Sequence, residues 1–359
     1  MSADTAQIVR PLRYGEPLPL IHAVSNRNPR FALGMLGGRY TLICAIQDIE
    51  SDAARTALAE IADYRSDEQA RLCAVFTAGA ASPELDAVGA KRLVIDDAQA
   101  AETCRLFDPR MPEGRCLLLD PALRVLGAWP LQDAATALRA LDAAPPPAKR
   151  AGPAPVLVAP HIFEPDFCTR LIAYYRERGG VASGITQQDT SGRTFVALDD
   201  GFKRRSDCLI EDTALREAIM QRIYWRLGPM IERAFMWRPT RMERYLVARY
   251  AADGGGFFKP HRDNTTHGTA HRRFAVTINL NAGEYEGGDL RFPEFGARTY
   301  RAPTGGAVVF ACALLHEATP VTRGERFAFL PFLYDDAAAK VREANSKYLD
   351  ESLAPYRDS

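Results

Sequence analysis

The sequence predicts two domains, an α/β domain followed by a mostly β domain that is braced by helices. The chain has 359 residues, a length that suits two domains of ordinary size. A Pro- and Ala-rich stretch at residues 143–153 contains three consecutive prolines, which favour an extended spacer. Strand and helix patterns alternate before this stretch. We therefore expect one domain at residues 1–144, a linker at 145–153 and a second domain at 154–359.

The first domain is expected to alternate strands and helices and to end in a hairpin and a helix. In the first helix Ala54, Leu58 and Ile61 share one face, and Ser51 or Asp52 caps its start. This order is that of the thioredoxin fold, and residues 15–19 resemble the start of a peroxiredoxin. The predicted strands are residues 40–46, 72–76, 92–96, 115–120 and 125–129, and the predicted helices are 51–63, 98–106 and 133–141.

The reactive thiol of a peroxiredoxin is missing from this domain. Such a Cys stands at a helix N-terminus after the first core strand, where the helix dipole lowers the thiol pKa. Here residues 47–54 are acidic and contain neither a Cys nor a Cys-x-x-Cys pair. Cys44, Cys73 and Cys116 fall inside predicted strands, where a Cys is usually a small buried apolar residue. We expect a redox-inactive domain that serves docking, dimerisation or the shaping of the second domain's entrance.

The second domain carries three residues with the pattern of a metal site. His261 and Asp263 are separated by one intervening residue, so on a strand or its exit loop they project to the same side. The third residue, His316, comes from a strand that is remote in sequence. Two histidines and one carboxylate form the facial triad that holds non-haem Fe(II) and leaves other positions open. Arg326 lies ten residues after His316, and its planar fork suits the far carboxylate of a dicarboxylic acid.

Residues from about 154 to 335 resemble the Fe(II)/2-oxoglutarate-dependent dioxygenases, in particular the prolyl 4-hydroxylase-like branch. Besides the triad and Arg326, the resemblance is carried by residues 156–168, by the Arg-x-Ser stretch within 203–207, and by Tyr250 before a Gly-rich loop at 254–256. It implies a double-stranded β-helix, of the jelly-roll or cupin-like type, with bracing helices. Residues 274–281 and 285–292 are then a strand, a Gly-Gly turn and a strand, one more hairpin of the barrel.

The same resemblance implies the cofactors and the reaction. His261, Asp263 and His316 bind Fe(II), and Arg326 anchors 2-oxoglutarate. Tyr250 and Asn279 support the 2-oxoglutarate carboxylates, although related enzymes often carry Tyr where Asn279 stands. O2 is the other cosubstrate, and ascorbate is a candidate reductant. Oxidative decarboxylation to succinate and CO2 is coupled to hydroxylation of a C–H bond.

The substrate is not specified by these motifs. A peptidyl proline, another protein residue and a small molecule all stay open, because the determinants lie in variable loops at residues 182–201, 253–258 and 265–271. Two other functions are weighed against the hydroxylase. One is a catalytically degenerate iron- or partner-binding regulator. The other is a thiol peroxidase with the second half accessory, which the missing Cys disfavours.

Composition excludes several partners. Lys+Arg and Asp+Glu are equal at 45 each, so no overall charge favours nucleic acid, and residues 327–333 hold no second Arg of the kind expected in a DNA-repair oxygenase. A polar start without a signal peptide, and no long apolar run, predict a cytoplasmic protein without a membrane partner. The seven cysteines form no disulfide framework. A homodimer through the helical tail at residues 337–342 is left open.

Three further expectations concern the surroundings of the site. His267 and His271 are expected to be exposed loop histidines, and Arg323 a solvated turn residue. Residues 213–236 should form a long helix that braces the barrel, interrupted near Gly228 and Pro229. Its apolar positions recur at steps of four and are Leu215, Ile219, Ile223, Leu227 and Ile231.

Overall fold

The computed structural model describes residues 10–65, 67, 70–79, 82–149, 152–189, 191–350 and 353. The chain forms two compact units, Met1–Ala151 with Pro293–Ala297, and Gly152–Phe292 with Arg298–Ser359. Arg150 and Ala151 of the expected linker lie outside the described residues, so the domain limits stay a prediction. Among the described residues, every helix is too short or too polar to cross a membrane.

The first unit is built on a mixed five-stranded sheet. The strands of the whole unit are β1 (His22–Ala23), β2 (Phe31–Ala32), β3 (Tyr40–Ile46), β4 (Arg71–Thr77), β5 (Leu93–Asp96), β6 (Gly114–Leu119) and β7 (Val125–Pro130). Its helices are α1 (Asp52–Asp63), α2 (Pro83–Gly89), α3 (Ala98–Thr103) and α4 (Ala134–Ala143). The sheet order is β5-β4-β3-β6-β7. β3, β4 and β5 run parallel, whereas β6 pairs antiparallel with β3 and β7.

The elements of this unit follow the expected order, with two differences. The Ser51 hydroxyl accepts a hydrogen bond from the Ala54 N–H and caps α1, which settles the choice between Ser51 and Asp52. α2 was not expected, although Ser82 caps it and Pro83 opens it. α3 ends at Thr103 rather than at residue 106, because Arg105 takes a left-handed φ of 53° that a helix cannot continue.

The second unit contains eighteen strands and four α-helices among its described residues. The helices are α5 (Pro165–Arg178), α6 (Thr213–Arg222), α7 (Gly228–Phe235) and α8 (Asp336–Ala344). The strands are β8 (Leu157–Ala159), β9 (Val181–Ala182), β10 (Ile185–Gln188), β11 (Thr194–Ala197), β12 (Lys203–Arg204), β13 (Ser206–Leu209), β14 (Arg241–Glu243), β15 (Leu246–Ala251), β16 (Phe257–His261), β17 (Phe274–Asn279), β18 (Glu286–Gly287), β19 (Leu290–Arg291), β20 (Thr299–Tyr300), β21 (Ala307–Ala311), β22 (His316–Ala318), β23 (Val321–Arg323), β24 (Glu325–Phe329) and β25 (Phe332–Tyr334).

Two sheets of unequal size form the body of this unit. The major sheet has the order β14-β25-β17-β24-β15-β13-β9, with β21 and β8 added beside β17. The minor sheet has the order β12-β16-β22-β19-β20. Ala248 and Tyr250 of the major sheet share a buried apolar cluster with Ala318 of the minor sheet. The inner faces of the two sheets therefore pack together at this cluster.

The outer face of the major sheet is covered by helices. The apolar residues at steps of four on the long helical segment are all buried against Val247, Phe327 and Phe329 of the sheet. The segment is interrupted directly before Gly228 and Pro229, as expected, because Ile223–Leu227 forms a π-helical turn between α6 and α7. The ring of Pro229 cannot accommodate the carbonyl of residue 225 in a regular helix, so the wider turn lies directly before it.

The expected Gly-Gly hairpin is wrong. β17 pairs with β21, β24 and β25, while β18 pairs with β23 and β19 pairs with β20 and β22. Gly287 and Gly288 have φ values of 69° and 68°. A Cβ at Gly287 would lie 2.1 Å from the carbonyl oxygen of Pro320. The two glycines thus turn the chain out of one ladder and into the minor sheet instead of closing a hairpin.

Candidate metal centre

The three predicted ligands lie within one small cluster at the end of the minor sheet. His261 is the last residue of β16, His316 is the first of β22, and the two are paired across the ladder. The backbone N–H of Asp263 donates to the carbonyl of Cys312 at 3.0 Å, which holds the carboxylate beside them. Asp263 Oδ1 lies 3.5 Å from His261 Nε2, and its Oδ2 lies 3.3 Å from His316 Nε2. Their ligand atoms all lie within 4.8 Å of one another, so one ion could bind all three.

Backbone carbonyls orient both imidazoles. His261 Nδ1 lies 2.8 Å from the carbonyl oxygen of Lys259, and His316 Nδ1 lies 3.0 Å from that of Leu314. A carbonyl only accepts, so Nδ1 carries the proton in each ring and the Nε2 lone pair is left for a metal. The Phe258 ring stacks on His261 with centroids 3.5 Å apart, which fixes the plane of that imidazole.

Electrostatics at the cluster favour the protonation states that a cation needs. Burial lowers the pKa of His316 to about 4, so its imidazole is neutral at pH 7. Burial alone would raise the pKa of the Asp263 carboxyl, but His316 and His261 outweigh it and the pKa falls below its usual range. A neutral His316 imidazole and an ionised Asp263 carboxylate are donors of the kind that suits Fe(II).

Arg326 lies on the inner face of the major sheet, opposite Tyr250 in the β15–β24 ladder. Its guanidinium is buried and lies 4.9 Å from the centre of the Tyr250 ring. Nε and Nη1 of Arg326 make no hydrogen bond to any described residue. Buried guanidinium nitrogens without a hydrogen-bond partner are costly unless an anion completes them. The carboxylate of a dicarboxylic acid would fit this position, and the role of Arg326 as its anchor stays a prediction.

Tyr285 adjoins Arg326. The sequence pattern does not single it out as a site residue. Its ring is buried, and within the described chain its phenol oxygen lacks a hydrogen bond of ordinary geometry. Burial raises the pKa of this phenol against the opposing charge of Arg326, so the hydroxyl stays a donor at neutral pH. Gly288 leaves room for the pair, because a Cβ there would lie 3.1 Å from Cδ of Arg326.

The two other residues expected at the cosubstrate, Tyr250 and Asn279, occupy different positions relative to the cavity. Tyr250 lines the cavity that contains the triad and Arg326. Asn279 is buried but is not among the residues that line it, and its amide donates to the carbonyl of Ala302 at 2.8 Å. The structure therefore places Tyr250 on the cavity wall and Asn279 away from it, and the cosubstrate roles of both residues stay predictions.

Two arginines on the cavity wall were not expected. Arg205 and Arg244 line it together with Arg326, and both approach the buried carboxylate of Asp207. Arg205 Nη2 lies 2.6 Å from Asp207 Oδ2, and Arg244 Nη2 lies 3.5 Å from the same atom. Opposing the effect of burial, Arg205 and Lys203 lower the pKa of Asp207 to about 2. The sequence shows the Arg-x-Ser stretch within residues 203–207, but it does not show that Arg205 faces the cavity.

A buried network supports the loop that follows Asp263, and it corrects the expectation for His271. This histidine is buried rather than exposed, and its Nε2 lies 2.9 Å from Glu243 Oε2. Arg272 Nε donates to the other oxygen of Glu243 at 2.7 Å. His267 is half-buried and stacks on Tyr348, so the expectation of an exposed residue is wrong for it as well. Arg323 is exposed at the surface, as expected, and pairs with Glu286.

The cysteines give no sign of thiol chemistry. All seven are free and buried. Cys44 Sγ lies 3.0 Å from Cys116 Sγ, and this neighbour, with Cys73 and burial, raises the pKa of the Cys44 thiol. Burial raises the pKa of Cys104 to about 12. A reactive thiol needs the opposite shift and access to solvent.

The sequence of this region matches a known protein family. The model of the 2OG-Fe(II) oxygenase superfamily matches residues 245–334, which include the triad and Arg326. For this segment the match confirms the resemblance to the Fe(II)/2-oxoglutarate-dependent dioxygenases. Fe(II) and 2-oxoglutarate are accordingly the cofactors that the site's residues fit.

Individual relatives are hydroxylases. A PKHD-type hydroxylase of Cupriavidus metallidurans is 35% identical over 99 residues, which are 25% of this chain and 42% of that protein. One from Nitrobacter winogradskyi is 25% identical over 162 residues, 43% of this chain and 69% of that protein. A solved prolyl-4-hydroxylase of Pseudomonas putida has 20% identity and a TM-score of 0.36, and the match covers 50% of this chain and 92% of that one. The chain thus spans less than half the length of the first of these relatives.

Proposed function

We propose that the protein is an Fe(II)- and 2-oxoglutarate-dependent dioxygenase that hydroxylates a C–H bond and releases succinate and CO2. The observation that carries this proposal is the coexistence, in one cavity, of the His261–Asp263–His316 cluster and the buried Arg326 guanidinium, whose Nε and Nη1 make no hydrogen bond to any described residue. Each alone has a structural explanation. Together they provide a metal site and a carboxylate site for one chelating dicarboxylic acid.

The residues of the chain divide the work of binding and orientation. His261, Asp263 and His316 would hold Fe(II), which with 2-oxoglutarate and O2 would supply the oxidising chemistry. Arg326, with the Tyr285 hydroxyl beside it, would fix the far carboxylate of 2-oxoglutarate, and Tyr250 would pack against the guanidinium. Phe258 and Phe310 lie against the ligand imidazoles and restrict water there.

The wider assignments are part of this proposal. The major and minor sheets are taken as the two walls of a double-stranded β-helix, and the first unit as a redox-inactive thioredoxin-like domain. The domain limits at residues 144 and 154 and a cytoplasmic location complete it. Hydroxylation of a peptidyl residue or of a small molecule is compatible with the cavity.

An anaerobic titration tests the proposal. The Fe(II)-loaded protein is titrated with 2-oxoglutarate while the visible metal-to-ligand charge-transfer absorption is followed. We expect the band in the wild type and in Arg323→Gln, a surface control, and its loss in His316→Ala. A folded, iron-loaded wild type without the band would contradict the proposal and favour a catalytically degenerate iron-binding regulator. The burial of every cysteine argues against the thiol peroxidase.

A further inference from the structure

The segment that carries Tyr285 has little regular structure of its own. It runs from the end of β17 at Asn279 to the start of β19 at Leu290, and between them it forms only the two-residue strand β18, which pairs with β23. Gly287 and Gly288 in this segment both have positive φ values. A side chain on such a segment needs another fixed point if it is to act at a set position.

The guanidinium of Arg301, directly after β20, supplies this fixed point. Its Nη1 donates to the carbonyl oxygens of Ala282 at 3.1 Å and of Tyr285 at 3.0 Å, and its Nη2 donates to that of Gly287 at 2.6 Å. Its Nε donates to Oδ1 of Asp289, which is also its counter-charge. All three nitrogens thus bind one short segment, which the planar fork of an Arg can do and the single ammonium of a Lys cannot.

Arg301 also contacts the ring of Tyr285. The central carbon of its guanidinium lies 4.3 Å from the centre of that ring, within the range of a cation–π contact. Its charge acts on the phenol as well, because burial raises the pKa of Tyr285 while Arg326 and Arg301 oppose this rise. The Tyr285 side chain is therefore held by Arg301 at its ring and adjoins Arg326 at its hydroxyl.

The turn that Arg301 holds packs directly against Arg326. A Cβ on Gly288 would lie 3.5 Å from Cε2 of Tyr285 and 3.1 Å from Cδ of Arg326. At this density the turn cannot move without displacing one of the two side chains. Arg326 lines the cavity, whereas Arg301 and Tyr285 are not among its lining residues. Arg301 therefore reaches the cavity only through the side chains that it holds.

Resting on the proposed function, we infer that Arg301 is a positioning residue for 2-oxoglutarate. It holds Tyr285, and through Tyr285 the guanidinium of Arg326, at the place where the far carboxylate of the cosubstrate binds. Arg301 itself does not touch the cosubstrate. None of its contacts described above involves the metal triad, so iron binding should not depend on it.

Anaerobic titration of the full chain, loaded with Fe(II), gives the dissociation constant of 2-oxoglutarate from the charge-transfer absorption. Arg301→Gln should raise this constant roughly tenfold, as the loss of about one charge-assisted hydrogen bond does. The dissociation constant of Fe(II), measured by competition with a chelator, should stay the same. Arg298→Gln is the matched control, because Arg298 also lies over a tyrosine ring, that of Tyr300 at 5.3 Å, and it should change neither constant.

A double-mutant cycle with Tyr285→Phe separates positioning from a purely structural role. If Arg301 acts through the phenol, Arg301→Gln should weaken 2-oxoglutarate binding by less than about twofold once Tyr285 is Phe. Effects that multiply in the double variant, or an equal loss of Fe(II) binding in Arg301→Gln, would overturn the inference.

Asp289→Asn provides a second test that keeps Arg301 in place. It removes the counter-charge of Arg301 and should weaken 2-oxoglutarate binding severalfold, but only while Tyr285 is present. A wild type without the charge-transfer band would remove the proposed function and this inference with it. A normal band in the wild type, with unchanged 2-oxoglutarate binding in Arg301→Gln and Asp289→Asn, would remove the inference alone.

Discussion

Arg326 offers the sharpest test of how function and stability are divided in this protein. Replacing Arg326 by Met keeps the length and most of the volume of the side chain but removes the guanidinium. Two buried nitrogens without a partner cost about 1–3 kcal/mol each, whereas the lost contact with the Tyr250 ring is worth about 1 kcal/mol. Without 2-oxoglutarate we therefore expect Arg326→Met to be more stable than the wild type by about 1 kcal/mol or more.

The order should reverse when the cosubstrate is present. Saturation at a hundred times the dissociation constant stabilises a protein by about 2.7 kcal/mol, and Arg326→Met should lose most of this gain. Thermal unfolding of the metal-loaded protein under argon, with and without 2-oxoglutarate, measures both effects, with Arg323→Met as the surface control. For a unit of this size the shift without ligand should be at least roughly 2 °C upward. A downward shift without ligand, or an equal gain on adding 2-oxoglutarate, would refute the reasoning.

The remaining expectations concern the metal, the thiols and acid stability. His316→Ala should lose iron retention and turnover, as two ligands hold Fe(II) poorly; metal analysis that still finds one iron per chain would exclude the triad. Turnover should survive Ala substitution of the three cysteines Cys44, Cys73 and Cys104, and its loss in a folded variant would revive thiol chemistry. The pKa of Glu243 is kept below its ordinary value of 4.5 by Arg272 and His271, which outweigh burial. Its charge therefore stabilises the fold above that pH and is lost as the pH falls further. Urea unfolding should show Glu243→Gln less stable than the wild type at pH 7, with the gap closing below about pH 5; a constant gap would contradict this.

The sequence was most informative where function depends on local spacing. One intervening residue places His261 and Asp263 on the same side of a strand exit, and that geometry holds whatever the rest of the chain does. The apolar steps of four on the long helical segment likewise specified its buried face. The break of this segment, at residues 223–227, lies directly before Gly228 because Pro229 acts on the turn that precedes it.

Contacts set by strand pairing could not be predicted in this way. Arg205 and Asp207 are two residues apart, but Arg244 approaches the same carboxylate because β13 pairs with β15 in the register that places Asp207 opposite Ala248. His271 is buried because its ring nitrogen forms a hydrogen bond with the carboxylate of Glu243, which lies on a distant strand. Strands of two residues such as β18 and β19 have too little periodicity to signal their partners. The hairpin expected around Gly287 was wrong for that reason.

The two carbonyls that orient the ligand imidazoles belong to residues 259 and 314, each two positions before its histidine. A side chain in that position could be lost by a single nucleotide change, but a backbone oxygen is present in every possible residue. The histidines therefore keep their tautomers while the surrounding sequence drifts.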